Sequence, residues 1–216
     1  MNYAIVVPCY NEDAVLAETT SRLLEVMQRV AEKHADLQGR IVYVDDGSTD
    51  ATLHNLRKLH AGGKCPVKVI SFSRNFGKEA GLYAGLRYAS GDYISLIDAD
   101  LQQRPELVRE MVSILEEKEE YDVVAAYQDR RGEGKVLSFF KKCLYKIINL
   151  LSKVPLQPDA SDFRTFRRSV QDSILQLGEY HRFSKGIFAW VGYSTCFIPY
   201  TAQPRANGTT KWNFRK

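Results

Sequence analysis

Ile41-Val42-Tyr43-Val44-Asp45-Asp46-Gly47-Ser48-Thr49-Asp50 is a short apolar run that breaks directly into a carboxylate-rich turn. The arrangement recurs on either side. Ala4-Ile5-Val6-Val7 leads into Pro8-Cys9-Tyr10-Asn11-Glu12, and Tyr93-Ile94-Ser95-Leu96-Ile97 leads into Asp98-Ala99-Asp100. Runs of four or five apolar residues bounded by turn residues read as buried strands. If the three are parallel, their acidic turns meet at the carboxyl edge of one sheet, where open α/β folds bind ligands. The pattern predicts a nucleotide-binding enzyme that uses a metal.

The intervening segments fit this reading. Further strands are predicted near Val67–Ser71 and Asp122–Ala126, and another near Thr195–Tyr200. Val15, Leu16, Leu23, Leu24, Met27, Val30 and Ala31 recur at helical spacing between the first two strands. Helices follow near Thr49–His60, with Ser48 a candidate N-cap, near Lys78–Ala89, and near Pro105–Glu117 with its first-turn proline. The alternation gives an α/β fold, a mostly parallel sheet flanked by helices. Residues 1–127 are expected to form the nucleotide-binding core. Residues 128–216 are expected to form a membrane-interface region of the same domain.

In that second region Leu137, Phe139, Phe140, Leu144, Tyr145, Ile147, Ile148, Leu150 and Leu151 mix with Lys141, Lys142, Lys146 and Lys153. This is a basic amphipathic helix, suited either to an anionic membrane surface or to packing in the core. Helices near Arg168–Leu177 and Phe183–Val191 follow. The 216 residues, 44% hydrophobic, suffice for one full core, and the net charge of only +4 matters less than the local excess of seven Lys/Arg over three Asp/Glu from Gln128 to Ala160; no nucleic acid partner is expected. Cys9, Cys65, Cys143 and Cys196 lack zinc or disulfide spacing, so a reducing compartment is expected. No signal peptide and no run of about 18 apolar residues is recognised, so the segment is expected to be soluble or peripheral.

Glycine-rich phosphate loops are excluded, because the first glycine of the chain is Gly39, far beyond the first strand. Phosphate is therefore to be held another way. Asp98 and Asp100, two positions apart beyond a strand, can share one hard cation that keeps waters and takes diphosphate oxygens; a solvated acidic turn is the plainer alternative. Asp46 can accept from a base N–H or a ribose hydroxyl, with Tyr10 stacking or packing on the base. Glu12 can equally be first-turn helix charge. Arg74 or Lys78, in Ser73-Arg74-Asn75-Phe76-Gly77-Lys78, can meet phosphate or remain a surface cation.

Pro8-x-Tyr10-Asn11-Glu12, Val44-Asp45-Asp46-Gly47-Ser48-x-Asp50, Asn75-x-Gly77-Lys78 and Asp98-Ala99-Asp100-Leu101-Gln102-x-x-Pro105-Glu106 resemble the inverting family 2 glycosyltransferases of GT-A fold. Ser161-Asp162-Phe163-Arg164, Arg182-Phe183-x-x-Gly186, Trp190-x-Gly192-Tyr193 and Arg205-x-x-Gly208-x-Thr210-Lys211-Trp212 resemble their polyprenyl-phosphate hexosyltransferase group. That group contains dolichyl-phosphate mannose synthase and the bactoprenol glucosyltransferases. Two membrane spans usual in its bacterial members are not found here, which leaves anchoring and any homo-oligomer open.

The resemblance implies a nucleotide-sugar donor, UDP-glucose favoured, and a polyprenyl phosphate acceptor at the cytoplasmic face of the cell membrane. It implies that Pro8, Tyr10, Asn11, Glu12, Asp46, Lys78, Asp98 and Gln102 bind the donor. Asp98, Asp100 and Gln102 would surround a divalent cation, Mg or Mn, with Asp100 and Asp162 catalytic. Asp162 stands at the acid/base position, although a phosphate with a second pKa near 6 is already largely dianionic at neutral pH, so Asp162 can instead orient Arg164 or the acceptor. Arg130, Arg131, Lys135, Arg164, Arg205 and Lys211 are the cations available to the acceptor phosphate. A soluble or growing glycan acceptor, or a non-catalytic nucleotide-sugar-binding module, are the alternatives.

Overall fold

The computed structural model describes residues 2–32, 38–63, 66–129, 160–179 and 182–203. In chain order the elements are β1 (Asn2–Cys9), α1 (Asp13–Ala31), β2 (Gln38–Asp45), α2 (Thr52–Ala61), β3 (Val67–Ser71) and α3 (Lys78–Tyr88). They continue with β4 (Tyr93–Leu96), α4 (Leu107–Glu117), β5 (Val123–Gln128), β6 (Ala160–Arg167), α5 (Arg168–Gln176), α6 (Ser184–Trp190) and β7 (Thr195–Tyr200). The strands form one sheet in the order β3-β2-β1-β4-β6-β5-β7. Six run the same way, and β6 alone is antiparallel to both neighbours.

The central strands are buried on both faces, which is why they read as continuous apolar runs rather than alternating ones. Tyr3, Ile5 and Val7 face a core with Leu16, Leu23 and Met27 of α1 and Val108, Met111 and Leu115 of α4. Ala4 and Val6 face the opposite core, with Leu82 and Leu86 of α3, Val170 and Ile174 of α5 and Phe188 of α6. Helix α3 lies especially close to the sheet. A Cβ on Gly85 would stand 2.2 Å from Val6 Cγ1 and 3.2 Å from Val44 Cγ2. That approach fixes where the N-terminus of α3, and with it Lys78, meets the sheet edge.

Helix α2 starts at Thr52, later than predicted, and Ser48 does not cap it: Ala51 is the N-cap and makes no side-chain capping bond. The Ser48 hydroxyl instead accepts the Asn11 amide at 3.0 Å, so it joins two ligand-edge turns. Asp50 takes the first-turn role, its carboxylate accepting the Thr52 amide at 2.9 Å. Strand β6 is not among the predicted elements. Its polar positions, Ser161, Asp162, Arg164 and Arg167, interrupt the apolar run, while Phe163 and Phe166 bury on opposite faces of the sheet.

The basic stretch from Leu137 to Lys153, and with it Arg130, Arg131, Lys135, Arg205 and Lys211, lies outside the described residues. Among the described residues no helix is long and apolar enough to cross a membrane.

Gly85→Val would drive a branched side chain into Val6. Overpacking of this kind costs about 1–3 kcal/mol. Urea unfolding is expected to shift to a lower midpoint with an unchanged m-value.

Candidate active site

Because β6 runs against its neighbours, its beginning rather than its end reaches the ligand edge. Leu96, the last residue of β4, pairs with Arg164 of β6. Two positions beyond Leu96 is Asp98, and two positions before Arg164 is Asp162. Continuing the antiparallel register sets these two carboxylates opposite each other, although 64 residues separate them in sequence.

The side chains realise that juxtaposition. Lys78 Nζ, at the N-terminus of α3, lies 2.7 Å from Asp98 Oδ1 and 2.9 Å from Asp162 Oδ2. Burial alone would pull its ammonium down, but the charges and hydrogen bonds of Asp98 and Asp162 raise its pKa above the ordinary lysine value. Burial likewise favours the neutral form of Asp162, yet Lys78 foremost, with Arg164 and Lys185, holds its carboxyl below the usual range. The other oxygen of Asp162, Oδ1, is buried without a hydrogen-bond partner among the described residues.

Gln103 fixes Asp98 from behind. Its Oε1 accepts the Asp98 amide at 2.9 Å, and its Nε2 donates to Asp98 Oδ2 at 3.0 Å and to Ser161 Oγ at 3.1 Å. The turn is further shaped by the Gln102 amide, which donates to Asp100 Oδ1 at 3.2 Å, and by Leu101 at φ 58°. A bulky residue rarely adopts that conformation; here the Leu101 side chain is buried. Asp98, Asp100, Gln102, Gln103, Gln128, Ser161, Asp162, Lys185 and Tyr200 line one cleft of about 280 Å³. Lys185 makes no ion pair or hydrogen bond among the described residues.

A second group of predicted residues occupies the turns after β1 and β2. Asn11, at φ 53°, accepts the Thr49 amide on its side-chain oxygen at 2.8 Å, and the Glu12 amide donates to Thr52 Oγ1 at 2.9 Å. Pro8, the penultimate residue of β1, lies beneath α3, beside Gly81. Asp46 is 3% exposed, and its two oxygens accept the amides of Phe76 and Gly77 at 2.7 and 2.9 Å. Its carboxylate thus ties the turn that precedes Lys78, a task absent from the sequence reading. Gly47 makes that approach possible: at φ 67°, a Cβ there would meet the Arg74 backbone at 2.4 Å.

Arg164, predicted as an acceptor-side cation, is 4% exposed and is not among the cleft-lining residues. Its guanidinium stacks over Phe188 at 4.1 Å and donates to the Ser161 carbonyl at 2.8 Å. Burial pulls its pKa down to about 10, against the opposing charges of Asp162 and Glu79. The arrangement holds the Ser161–Asp162 backbone in place. Lys185, Gln103 and Gln128 were missed by sequence reasoning; Lys185 stands in an unspecified position of the Arg182-Phe183-x-x-Gly186 motif.

The depressed Asp162 pKa has a sign in stability. Ionised Asp162 stabilises the fold above its unfolded value of 3.8, and this contribution is lost as pH falls through its lower folded value. Asp162→Asn is therefore expected to lower the melting temperature at neutral pH. Thermal unfolding as a function of pH should show the gap between variant and wild type closing below about 3.8.

Residues 4–175 match the family described as Glycosyl transferase family 2. The chain is 42% identical over 214 residues to an uncharacterized glycosyltransferase of Synechocystis, an alignment covering 99% of this chain and 65% of that protein. It is 33% identical over 213 residues to the prophage bactoprenol glucosyl transferase homolog of Escherichia coli, covering 99% and 67%. The chain thus spans about two thirds of the length of these relatives. A solved mannosyltransferase of Pyrobaculum calidifontis, in complex with GDP-Man and Mn2+, superposes with a TM-score of 0.62 at 19% identity, over 95% of this chain and 57% of that one. That likeness concerns the fold, a mostly parallel GT-A sheet. By the extent of the sequence match and the relatives' identity, this chain belongs to glycosyl transferase family 2.

Proposed function

We propose that the chain transfers a hexose from a nucleotide-sugar, UDP-glucose the favoured donor, to a polyprenyl phosphate at the cytoplasmic membrane face, inverting the anomeric carbon. The observation that carries this reading is the single cleft in which Asp98 and Asp100 of one turn face Asp162 and Lys185 of other elements. Relatives named bactoprenol glucosyl transferase support the acceptor.

The donor set fits a hard divalent cation, Mg or Mn. Asp98 and Asp100 offer oxygen ligands only, and Gln102 lines the same cleft. Among the described residues no three His, Cys, Asp or Glu side chains form a ready-made cage, so waters and diphosphate oxygens would complete the shell. Held there, the cation would neutralise charge on the leaving diphosphate.

The chain's own residues divide the remaining work. The turns holding Tyr10, Asn11, Glu12 and Asp46 would take the nucleoside. Lys185 would receive the acceptor phosphate, and Asp162 would orient the cations around it, Lys78 and Lys185, rather than touch the phosphate itself; a carboxylate whose pKa is depressed is a weak base at neutral pH, and efficient proton transfer needs a pKa near the working pH. A phosphate dianion brings no proton to remove. Arg164, buried behind Asp162, would act through the backbone it holds rather than by touching phosphate.

Radiolabelled transfer from UDP-glucose, GDP-mannose and UDP-N-acetylglucosamine to undecaprenyl phosphate tests the reading. Transfer from one donor is expected and is to vanish in EDTA; activity retained in EDTA would remove the metal from the scheme. Asp100→Ala should lose about a thousandfold in rate, roughly 4 kcal/mol of transition-state stabilisation.

Asp162→Asn and Lys185→Gln should each raise the acceptor KM about tenfold or more while leaving the donor KM unchanged. Steady-state kinetics at pH 8 with a short-chain polyprenyl phosphate separates the roles. A large loss of kcat in Asp162→Asn at constant acceptor KM would make it a general base after all.

A further inference from the structure

Asp98 has two carboxylate oxygens, and they are not equivalent. Gln103 is oriented by accepting the Asp98 amide on Oε1, so its Nε2 must be the group that donates to Asp98 Oδ2. The oxygen left to face a cation is Oδ1. That oxygen is the one Lys78 holds at 2.7 Å. The lysine is at the same time 2.9 Å from Asp162 Oδ2, on the opposite strand.

We propose that Lys78 is a displaceable internal cation: it competes with a divalent cation for Asp98 Oδ1, and when the cation is bound there the ammonium remains with Asp162 alone. The inference rests on the assignment of Asp98 as a metal ligand made above. A divalent cation would sit about 2.1 Å from the carboxylate oxygen. An ammonium on the same oxygen would then stand within a few ångströms of it, and like charges so close repel strongly. Asp162 gives the lysine somewhere to stay.

Several features favour movement of the lysine over its simple retention. Lys78 is the first residue of α3, and its side chain is 42% exposed, so it can swing without disturbing the core. Gly77, at φ 96°, precedes it. Its neighbour Glu79 is anchored instead to Ser184 at the start of α6, accepting both the amide and the hydroxyl, which holds the helix end while Lys78 shifts. The consequence is a link between the two halves of the cleft. Metal loading on the donor side leaves a full positive charge beside Asp162, on the side proposed to receive the acceptor's phosphate.

The test is Mn2+ binding alone, with no nucleotide or acceptor, followed by the electron paramagnetic resonance signal of free Mn2+. Lys78→Met is expected to bind Mn2+ roughly two- to fivefold more tightly than wild type, the range for partly exposed ion pairs. Lys78→Arg should stay close to wild type, and Lys185→Met, which removes an equal charge from the same cleft without touching Asp98, should change affinity less than twofold. Asp98→Asn should abolish binding in every background, with circular dichroism confirming the fold. Equal or weaker binding by Lys78→Met, with the Asp98 dependence intact, overturns the inference and leaves the metal assignment standing. An equal gain in Lys185→Met overturns it too, since any nearby charge would then suffice. Absence of Mn2+ binding to both wild type and Lys78→Met would overturn the metal assignment and the inference together.

Discussion

The reversed direction of β6 is the constraint on which the site depends. A sheet of parallel strands brings only strand ends to its ligand edge, and each end belongs to a segment that immediately enters a helix. Inserting one antiparallel strand between β4 and β5 brings a strand beginning to that edge. The register, whose last pair is Leu96 and Arg164, brings Asp98 and Asp162 to the same edge just beyond the ladder, where Lys78 bridges them. The insertion is pinned inside the sheet as well: the Tyr3 hydroxyl donates to Ser95 Oγ at 2.8 Å, and Ser95 and Thr165 hydroxyls share a hydrogen bond at 2.5 Å. This buried chain joins β1, β4 and β6, and a register slip of one residue would both unpair it and turn Phe163 and Phe166 to the wrong faces.

Bringing carboxylates together in a half-buried cleft has an electrostatic consequence. Asp98, Asp100 and Asp162 would repel one another, and burial would push Asp162 toward its neutral form. The protein answers with donors whose backbones are placed by secondary structure. Lys78 comes from the start of α3, held against the sheet through Gly85; Gln103 comes from the turn itself; Arg164 comes from the same strand as Asp162, stacked on Phe188. Each of these groups is positioned by packing some distance from the cleft, so the geometry of the site is inherited from the core.

Much of this was legible in the sequence, and the residues show why. Strands β1, β2 and β4 are buried on both faces and end abruptly in acids, so both their existence and their direction could be read. Asp98 and Asp100 followed from that reading, and Gln102 and Asp162 came through a family resemblance. Strand β6 escaped because its apolar residues are spaced among charges whose partners, Lys78 of α3, Phe188 of α6 and the Leu115 and Tyr121 carbonyls, lie far away in sequence. Lys185 and Gln103 escaped for a related reason. A lysine near a helix start and a glutamine beside an aspartate are ordinary locally, and only the fold reveals that both turn into the same cleft. Asp46 was seen as a ligand-edge acid, but its bonds to Phe76 and Gly77 depend on a turn 30 residues away.

Asp46 and Asp162 illustrate two different uses of an edge carboxylate. Asp46 is held by neutral backbone amides, two charge-assisted bonds that order the loop leading into Lys78. Asp162 is held by a full charge on one oxygen and by nothing on the other among the described residues. The first arrangement is closed and rigid. The second leaves one acceptor atom unmet among the described residues while the other oxygen holds Lys78. The contrast separates an acid that orders a loop from one that lines the cleft and anchors a cation.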